Sequence, residues 1–508
     1  MSKGNAIQTP SMMRRLGLLL GAVAFLAIAL LPEPAGLGRE GKMALASAAL
    51  LALWWMTEAL PIPVTSLLPL LLFPLLGVLD MQSAAAPYSD QLVFLFLGGF
   101  ILALGVERSG LHRRIALHVI GRIGASESRL VLGFMLATAA LSMWISNTAT
   151  VMLMLPIAMA VLSNTGSRHS PSARGFSPAL LLGIAYAASI GGTATLIGTP
   201  PNIVLAGVMR KLYPNGPEIS FVQWMLFGVP LAALFLPLVW ILLVRILPGT
   251  RVHSAVASRE THSSVRRELE TLGPMHPAEK KVLLLFLFTA LGWVFRSPID
   301  LGSFRLPGIS DMLPQVTDAT IAVTSAVVLF FLNGDRDQRL LTWKDVQSGV
   351  PWGILLLFGG GFSLAEAMRS SGVTLYLGGL IQGMHTVPTF VVVLSVCLLL
   401  TFLTELTSNT ATASILVPVM AAAAVALGEH PLLLALPAAL NASFAFMLPV
   451  ATPPNAIVFS TSLVSIRTMA LTGFVFNLLG VVLVALLLYA LGFEVFGIVP
   501  DTVPVWAR

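Results

Sequence analysis

Two copies of Ser-Asn-Thr-Ala-Thr, at 146–150 and 408–412, lie 262 residues apart, each inside a long apolar stretch. Ser, Asn and Thr cap helix N-termini, because their oxygens accept from the backbone N–H groups that a first turn leaves unpaired. Where a helix restarts inside an apolar run, the triplet also offers hydroxyl and amide donors to an anion, and the positive end of the new helix points the same way. The carbonyl end of the helix that stops just before it favours a cation. "GTPPN" (198–202) and "ATPPN" (451–455) repeat the logic further along. Thr199 or Thr452 is the expected cap, and Pro200 or Pro453 the first helical residue, where a missing N–H does no harm. Each Pro pair breaks the preceding helix and frees carbonyls near Gly198 and Ala451. The set predicts two symmetric sites for monovalent cations flanking one anion between the two tips. An anion with two separated carboxylates suits two tips best.

The elements that hold such residues are set by composition. The chain has 508 residues, 56% hydrophobic and only 10% charged, against about 25% charged in soluble domains. Apolar runs such as 16–32, 221–247 and 468–492 reach the roughly 20 residues that cross a bilayer. Strict two-residue alternation, the mark of a membrane β-barrel, is missing. The expected class is an all-α polytopic membrane protein. In lipid a helix break must line a polar cavity or be buried in protein. The net charge of +6 reads as topology, not as a nucleic-acid surface, because Lys and Arg concentrate in loops. Cys397, the single cysteine, cannot form an internal disulfide. The start has basic flanks and an apolar core like a signal peptide, but without an A-x-A pattern it reads as an uncleaved first helix.

Lys3, Arg14 and Arg15 put the N-terminus in the cytoplasm. Crossings are expected near 16–32, 43–58, 64–79 and 91–106, with a proline-punctuated turn at "TEALPIP" (57–63). The segment 107–129 holds five Arg against two Glu and suits a helix along the interface. Read as one crossing, 130–162 would place the linker 248–281, with its six Lys or Arg, outside. Read as a re-entrant hairpin turning at Ser-Asn-Thr, it returns that linker to the cytoplasm after 179–211 and 221–247, as the charge rule requires. Spans near 282–297, 317–333 and 350–368, a second hairpin over 387–426, and spans near 434–466 and 469–492 follow. The total is about eleven transmembrane helices plus two re-entrant hairpins, with the C-terminus periplasmic or extracellular.

The halves share landmarks at one spacing. "GGF" at 98–100 and 360–362, Gly110 and Gly372, the two Ser-Asn-Thr motifs, and Pro156 and Pro418 are all 262 residues apart; the TPPN motifs are 253 apart. An ordered series at one spacing is a duplication. By the charge argument the two GGF helices run in opposite directions, which makes the repeat inverted, the architecture of secondary transporters with a site at mid-membrane.

Other residues were weighed against plainer roles. A lone Ser-Asn-Thr is more often interhelical hydrogen-bond glue, and a third copy, Ser163-Asn164-Thr165, has no partner 262 residues on. Duplication and the paired TPPN reverse that balance for the other two. The glycines at 98–99 and 359–361 read as close-packing positions. Glu405, where the first hairpin has Met143, either ties down hairpin backbone or relays a proton. Glu58 sits beside a turn. No catalytic residues, resident metal cluster or organic cofactor is expected, since the membrane segments lack a nucleophile–base pair, paired carboxylates and His.

"WWMTEALPIPVTSLLP", both SNTAT motifs, "IGTPPN" and "FMLPVATPPNAIVFS" resemble the divalent anion/sodium symporter family, bacterial sodium–dicarboxylate cotransporter type, from about residue 40 to 490. The resemblance implies sodium-coupled uptake of C4-dicarboxylates (succinate, malate, fumarate) by an elevator mechanism in a homodimer of the inner (plasma) membrane. A sodium-independent exchanger, or a carrier of sulfate or citrate, is the alternative on the same fold. It implies a first sodium site at Ser142, Ser146, Asn147 and Gly198, and a second at Thr404, Ser408, Asn409 and Ala451. Substrate would touch Ser146, Asn147, Thr148, Thr199, Ser408, Asn409, Thr410, Thr452 and Pro453. Domain organisation follows: scaffold helices and an interfacial arm in 1–129, half of a transport domain in 130–247, a cytoplasmic linker 248–281, further scaffold in 282–386, and the other transport half in 387–508.

Overall fold

The computed structural model describes residues 12–123, 126–164, 173–252, 268–300, 305–334, 338–381 and 387–507. Among these, the strands are a single two-residue pair, Ile299–Asp300 with Arg305–Leu306; nearly everything else is helix. Helices α1 (Met12–Leu30) and α2 (Arg39–Thr57) pack as an antiparallel pair, with Trp54 Nε1 donating to Leu18 O at 3.3 Å. The chain turns at Glu58, whose φ of 47° is left-handed, and passes through short helices at Ile62–Thr65 and Leu68–Leu76. Asp90 caps α3 (Gln91–Arg108), its carboxylate accepting from Leu92 N at 3.0 Å. A glycine turn then leads to the arm α4 (Leu111–Ile123).

The first hairpin is α5 (Glu127–Ser142) and α6 (Asn147–Asn164), joined by a tip at 143–146. Next, α7 (Ala173–Gly192) and α8 (Pro200–Leu212) are one run broken at 193–199, and α9 (Phe221–Ile241) follows. Residues 253–267 of the expected linker, and Thr165 of the third triplet, lie outside the described residues. The second half runs α10 (Pro277–Val294), α11 (Asp318–Leu329), α12 (Trp352–Ser370) and α13 (Val373–Ile381). Its hairpin is α14 (Thr389–Thr404) and α15 (Asn409–Ala426). A broken run, α16 (Leu432–Asn441) and α17 (Pro453–Phe459), leads into α18 (Ile466–Leu487).

The spacing found in the sequence carries into the helices: α5 and α14 begin and end 262 residues apart, as do α6 and α15. Gly110 and Gly372, at φ 77° and 76°, make the same turn before the two arms. The GGF glycines are packing positions. A Cβ on Gly98 would lie 2.6 Å from the backbone of Ala322, and one on Gly360 2.7 Å from Ser66 O. Helices α7 and α16 are buried along nearly their whole length, as a helix leading into a break must be when lipid cannot satisfy its freed backbone.

Among the described residues, five helices are long and apolar enough to cross a membrane, or six if the segments Trp343–Gly349 and Trp352–Ser370, bent by 63°, count as one. That is fewer than the spans read from hydropathy, because several runs are interrupted. The run expected at 64–79 is two short helices, and that at 434–466 is α16, an extended stretch and α17. Twelve-residue α11 is about 18 Å long, short of the roughly 30 Å hydrocarbon layer.

Candidate binding site

Four helices begin at the wall of one cavity of about 970 Å³. Ser146, Asn147 and Thr148 enter it from the start of α6, and Ser408, Asn409 and Thr410 from the start of α15. Gly198, Thr199 and Pro200 line it at the start of α8, and Ala451, Thr452 and Pro453 at the start of α17. The two triplets and two TPPN breaks, scattered over some 300 residues of sequence, therefore share one space.

Ser142 and Thr404 do not line the cavity; each is fully buried behind its tip. Ser142 Oγ lies 2.7 Å from Asn147 Oδ1 and 2.8 Å from Ala188 O. Thr404 Oγ1 lies 2.7 Å from Asn409 Oδ1 and 2.8 Å from Ala442 O. A hydroxyl carries one proton, so it donates to one of the two oxygens and meets the other lone pair to lone pair. Each cluster is therefore rich in oxygen and short of positive charge, a donor set that suits a hard cation. In the first, Gly192 brings more oxygen close: a Cβ there would sit 2.6 Å from Asn147 Oδ1 and 3.2 Å from Gly198 O.

The breaks are held by residues that the motif contained but that were given no role. Asn202 Nδ2 donates to Gly192 O at 3.1 Å and Thr195 O at 2.7 Å. Asn455 Nδ2 donates to Ala445 O and Leu448 O, both at 3.0 Å. The same amide thus ties the same two carbonyls in both halves, closing each break into a loop. The signal was the identical Asn ending both TPPN motifs.

Capping differs between the copies. Thr452 Oγ1 accepts from Asn455 N at 3.3 Å, whereas Thr199 occupies the cap position without a side-chain bond. Ser146 Oγ accepts from Ala149 N at 3.3 Å, whereas the Ser408 hydroxyl caps nothing. Thr199 and Ser408 thus keep the backbone geometry of a cap without a side-chain bond to their own first turns.

Glu405 resolves toward the tie rather than the relay. Its Oε1 accepts from Phe446 N at 2.7 Å, Met447 N at 2.9 Å and Asn477 Nδ2 at 2.7 Å; its Oε2 accepts from Leu448 N at 3.0 Å. These main-chain donors belong to the extended stretch between α16 and α17, which has no helix of its own to satisfy them. A carboxylate with about four lone-pair sites is the side chain that can. At the matching position of the first hairpin, Met143 O accepts from Thr195 Oγ1 instead. Glu58 is exposed, at the cavity's edge.

Arg14 and Glu58 are the only charged side chains on the cavity wall among the described residues. Neither lies in a tip. Phe96, Phe100, Ile197, Ile354 and Leu357 supply apolar wall; no pattern in the sequence set them apart from other buried residues. No cluster of three or more metal-ligating His, Cys, Asp or Glu occurs among the described residues.

Interrupted helices whose two hairpin tips meet in one cavity accord with the comparisons with known proteins, which mark the chain as a membrane transporter and not an enzyme. The sequence profile of the sodium:sulfate symporter transmembrane region matches residues 13–497, and the chain belongs to that family, the divalent anion/sodium symporters. It is 43% identical over 498 residues, 95% of this chain and 92% of the relative, to the sodium-dependent dicarboxylate transporter SdcS of Staphylococcus saprophyticus. It is 40% identical over 490 residues, 93% of this chain and 90% of the relative, to SdcS of Staphylococcus aureus. Among solved structures, the YdaH transporter of Alcanivorax borkumensis matches at a TM-score of 0.56 and 18% identity, covering 95% of this chain and 98% of that one. MtrF of Neisseria gonorrhoeae matches at 0.54 and 11%, covering 94% and 95%. These two likenesses show a shared fold.

Proposed function

We propose that this chain is a secondary transporter that takes up a C4-dicarboxylate such as succinate, malate or fumarate together with at least two sodium ions. The observation that carries the reading is the convergence of both Ser-Asn-Thr tips and both TPPN loops on a single cavity. One carboxylate is held at each tip, by Ser146, Asn147 and Thr148 on one side and Ser408, Asn409 and Thr410 on the other, with Thr199, Thr452 and Pro453 closing the wall. Sodium occupies the oxygen clusters behind: Ser142, Ser146, Asn147 and the Gly198 carbonyl in one, Thr404, Ser408, Asn409 and the Ala451 carbonyl in the other. The names of the 40–43% identical relatives, sodium-dependent dicarboxylate transporters, agree with this substrate class and this ion.

Coupling follows from charge. A dianion entering this cavity meets the positive ends of α6, α8 and α15, each worth roughly half a charge, but no cationic side chain at either tip. The two sodium ions supply the missing positive charge, so substrate binds well only when they do. If more sodium charge than substrate charge moves inward, the membrane potential adds about 2.3 kcal/mol per net charge per 100 mV.

In the same reading, eleven crossings and two re-entrant hairpins form an inverted repeat, with the N-terminus in the cytoplasm and the C-terminus outside. Residues 1–129 and 282–386 form a scaffold through which the chain dimerises, 248–281 tethers the halves, and 130–247 and 387–508 carry the substrate across as an elevator. Helices starting or ending at Arg14, Glu58 and Pro351 lie on the cytoplasmic side of this topology and also line the cavity, so the conformation described is open inward. The test is uptake of labelled succinate into proteoliposomes with and without an inward sodium gradient, with sulfate and citrate as competitors. Gradient-dependent uptake blocked by excess succinate but not by sulfate or citrate is expected. Sodium-independent uptake, or competition by sulfate in place of dicarboxylates, would overturn the reading.

A further inference from the structure

Away from the cavity, at the start of α3, a charge cluster built on a buried Asp90 and two partly exposed cations joins the two proposed bodies. The Asp90 side chain is 1% exposed, and its Oδ2 lies 3.1 Å from Lys211 Nζ and 3.4 Å from Arg210 Nη2, both on the last turn of α8. Two further ties lie beside it. Gln91 Nε2 donates to Glu218 Oε1 at 3.1 Å, and Phe221 N at the start of α9 donates to Asp318 Oδ2 at 3.2 Å. Asp318 also pairs with Arg296 Nε at 2.6 Å. Arg210, Glu218, Arg296 and Asp318 surround a small polar cavity of about 140 Å³ at this junction. Asp90, Gln91 and Asp318 belong to the scaffold of the proposed division, and Arg210, Lys211, Glu218 and Phe221 to the transport part.

We propose that Asp90, with Arg210 and Lys211, is a positioning cluster that latches the substrate-carrying helices to the scaffold in the inward-open conformation; the proposal rests on the transport reading above. The physical reason is the cost of an unpaired buried charge. Asp90 is tolerated inside the protein because two cations face it, and removing either side leaves an uncompensated charge. Any motion that slides α8 along α3 parts Asp90 from both cations at once and must rehydrate them. The cluster therefore stabilises this conformation relative to every one in which α8 has moved. A latch of this kind sets how often the carrier leaves the state and does not touch substrate.

Asp90→Asn tests it cleanly, because Asn caps a helix as well as Asp does; the bond to Leu92 N survives while the charge goes. A reporter Val450→Cys in a Cys397→Ala background places one thiol in the cavity, where Val450 is 83% exposed. Its labelling by a membrane-impermeant maleimide is timed from each face, in intact cells and in inside-out vesicles. The ratio of the two rates should move about tenfold away from the face that labels faster in the parent, within the range of known conformational couplings. Arg210→Gln with Lys211→Gln should move it the same way. An unchanged ratio in Asp90→Asn, or in the double variant should Asp90→Asn not fold, overturns the latch. Labelling needs no substrate, so a parent protein without sodium-driven succinate uptake would sink the transport reading separately.

Discussion

Replacing Glu405 separates structural tethering from proton relay. In the wild type the carboxylate serves three main-chain N–H groups and the Asn477 amide; the bonds from Phe446 N and Asn477 are buried and those from Met447 N and Leu448 N partly buried. Glu405→Ala leaves Met447 N, Leu448 N and the Asn477 amide without this acceptor, while Phe446 N keeps Asn477 Oδ1 at 3.3 Å; an unpaired buried donor costs about 1–3 kcal/mol, so the total reaches up to roughly 9 kcal/mol. That is comparable with the whole stability of an ordinary domain, about 5–15 kcal/mol, so the protein should scarcely accumulate. Glu405→Gln is the informative variant. It keeps one oxygen for Phe446 and Met447 but turns an amide toward Leu448 N, costing roughly 2–4 kcal/mol once the lost charge assistance is included. The expected result is a lower midpoint of thermal unfolding in detergent, with sodium-driven uptake per folded molecule retained. A Gln variant as stable as the parent yet unable to transport would refute the tether and restore the relay.

The tips and ion clusters yield direct tests. Asn147→Ala and Asn409→Ala each remove an oxygen from a cluster and a contact from a tip. Each should cut sodium-driven uptake by more than about tenfold, the equivalent of one charge-assisted bond, while expression and size-exclusion profile stay normal; full activity in either refutes that tip. Thr404→Ala should raise the sodium concentration for half-maximal uptake by about tenfold with succinate selectivity unchanged, and an unaltered sodium curve removes Thr404 from the site. Gly192→Ala puts a methyl 2.6 Å from Asn147 Oδ1, so sodium titration should weaken although no ligand has been deleted; wild-type sodium affinity there would show that this oxygen is not held where the structure places it.

The tips, breaks and repeat were legible because each uses residues whose chemistry is out of place in a hydrophobic run: capping triplets, paired prolines, glycines at one spacing. The residues singled out for the proposed site are of the same kind, and the structure sets each of them on the cavity wall or, for Ser142 and Thr404, behind it. What stayed hidden depends on partners distant in sequence. Glu405 could not be assigned, because its partners lie 41 to 43 residues on along the backbone and 72 on at Asn477, and backbone donors leave no signature in residue type. Asp90 caps an apolar helix, and nothing in one sequence sets it beside Arg210 and Lys211. The interruptions at 62–76 and 432–459 stayed hidden because hydropathy stays high across them, and averaging over a window cannot see which backbone groups are paired.

Duplication supplies two oxygen clusters of the same geometry, yet their tips sit in unequal surroundings. Trp144, in the first tip, stacks on Trp293 at 6.2 Å and on Phe221 at 6.0 Å, and meets Phe286 edge-on at 4.9 Å. Its counterpart in the second tip, Leu406, is 69% exposed on the cavity wall. Aromatic pairs contribute about 0.5–1.5 kcal/mol each beyond their buried area, so the first tip is braced by roughly 2–4 kcal/mol that the second lacks. Binding to a tip that must first be ordered costs free energy that a braced tip does not require. Two ligand sets of the same kind should therefore fill in sequence, the Ser142–Asn147 cluster before the Thr404–Asn409 cluster. Trp144→Leu, which gives the first tip the residue of the second, should weaken sodium binding in titrations made on a Thr404→Ala background, where only the first cluster is intact. Sodium affinity unchanged by that substitution would mean that the brace has no part in ion binding and that the order of filling is set elsewhere.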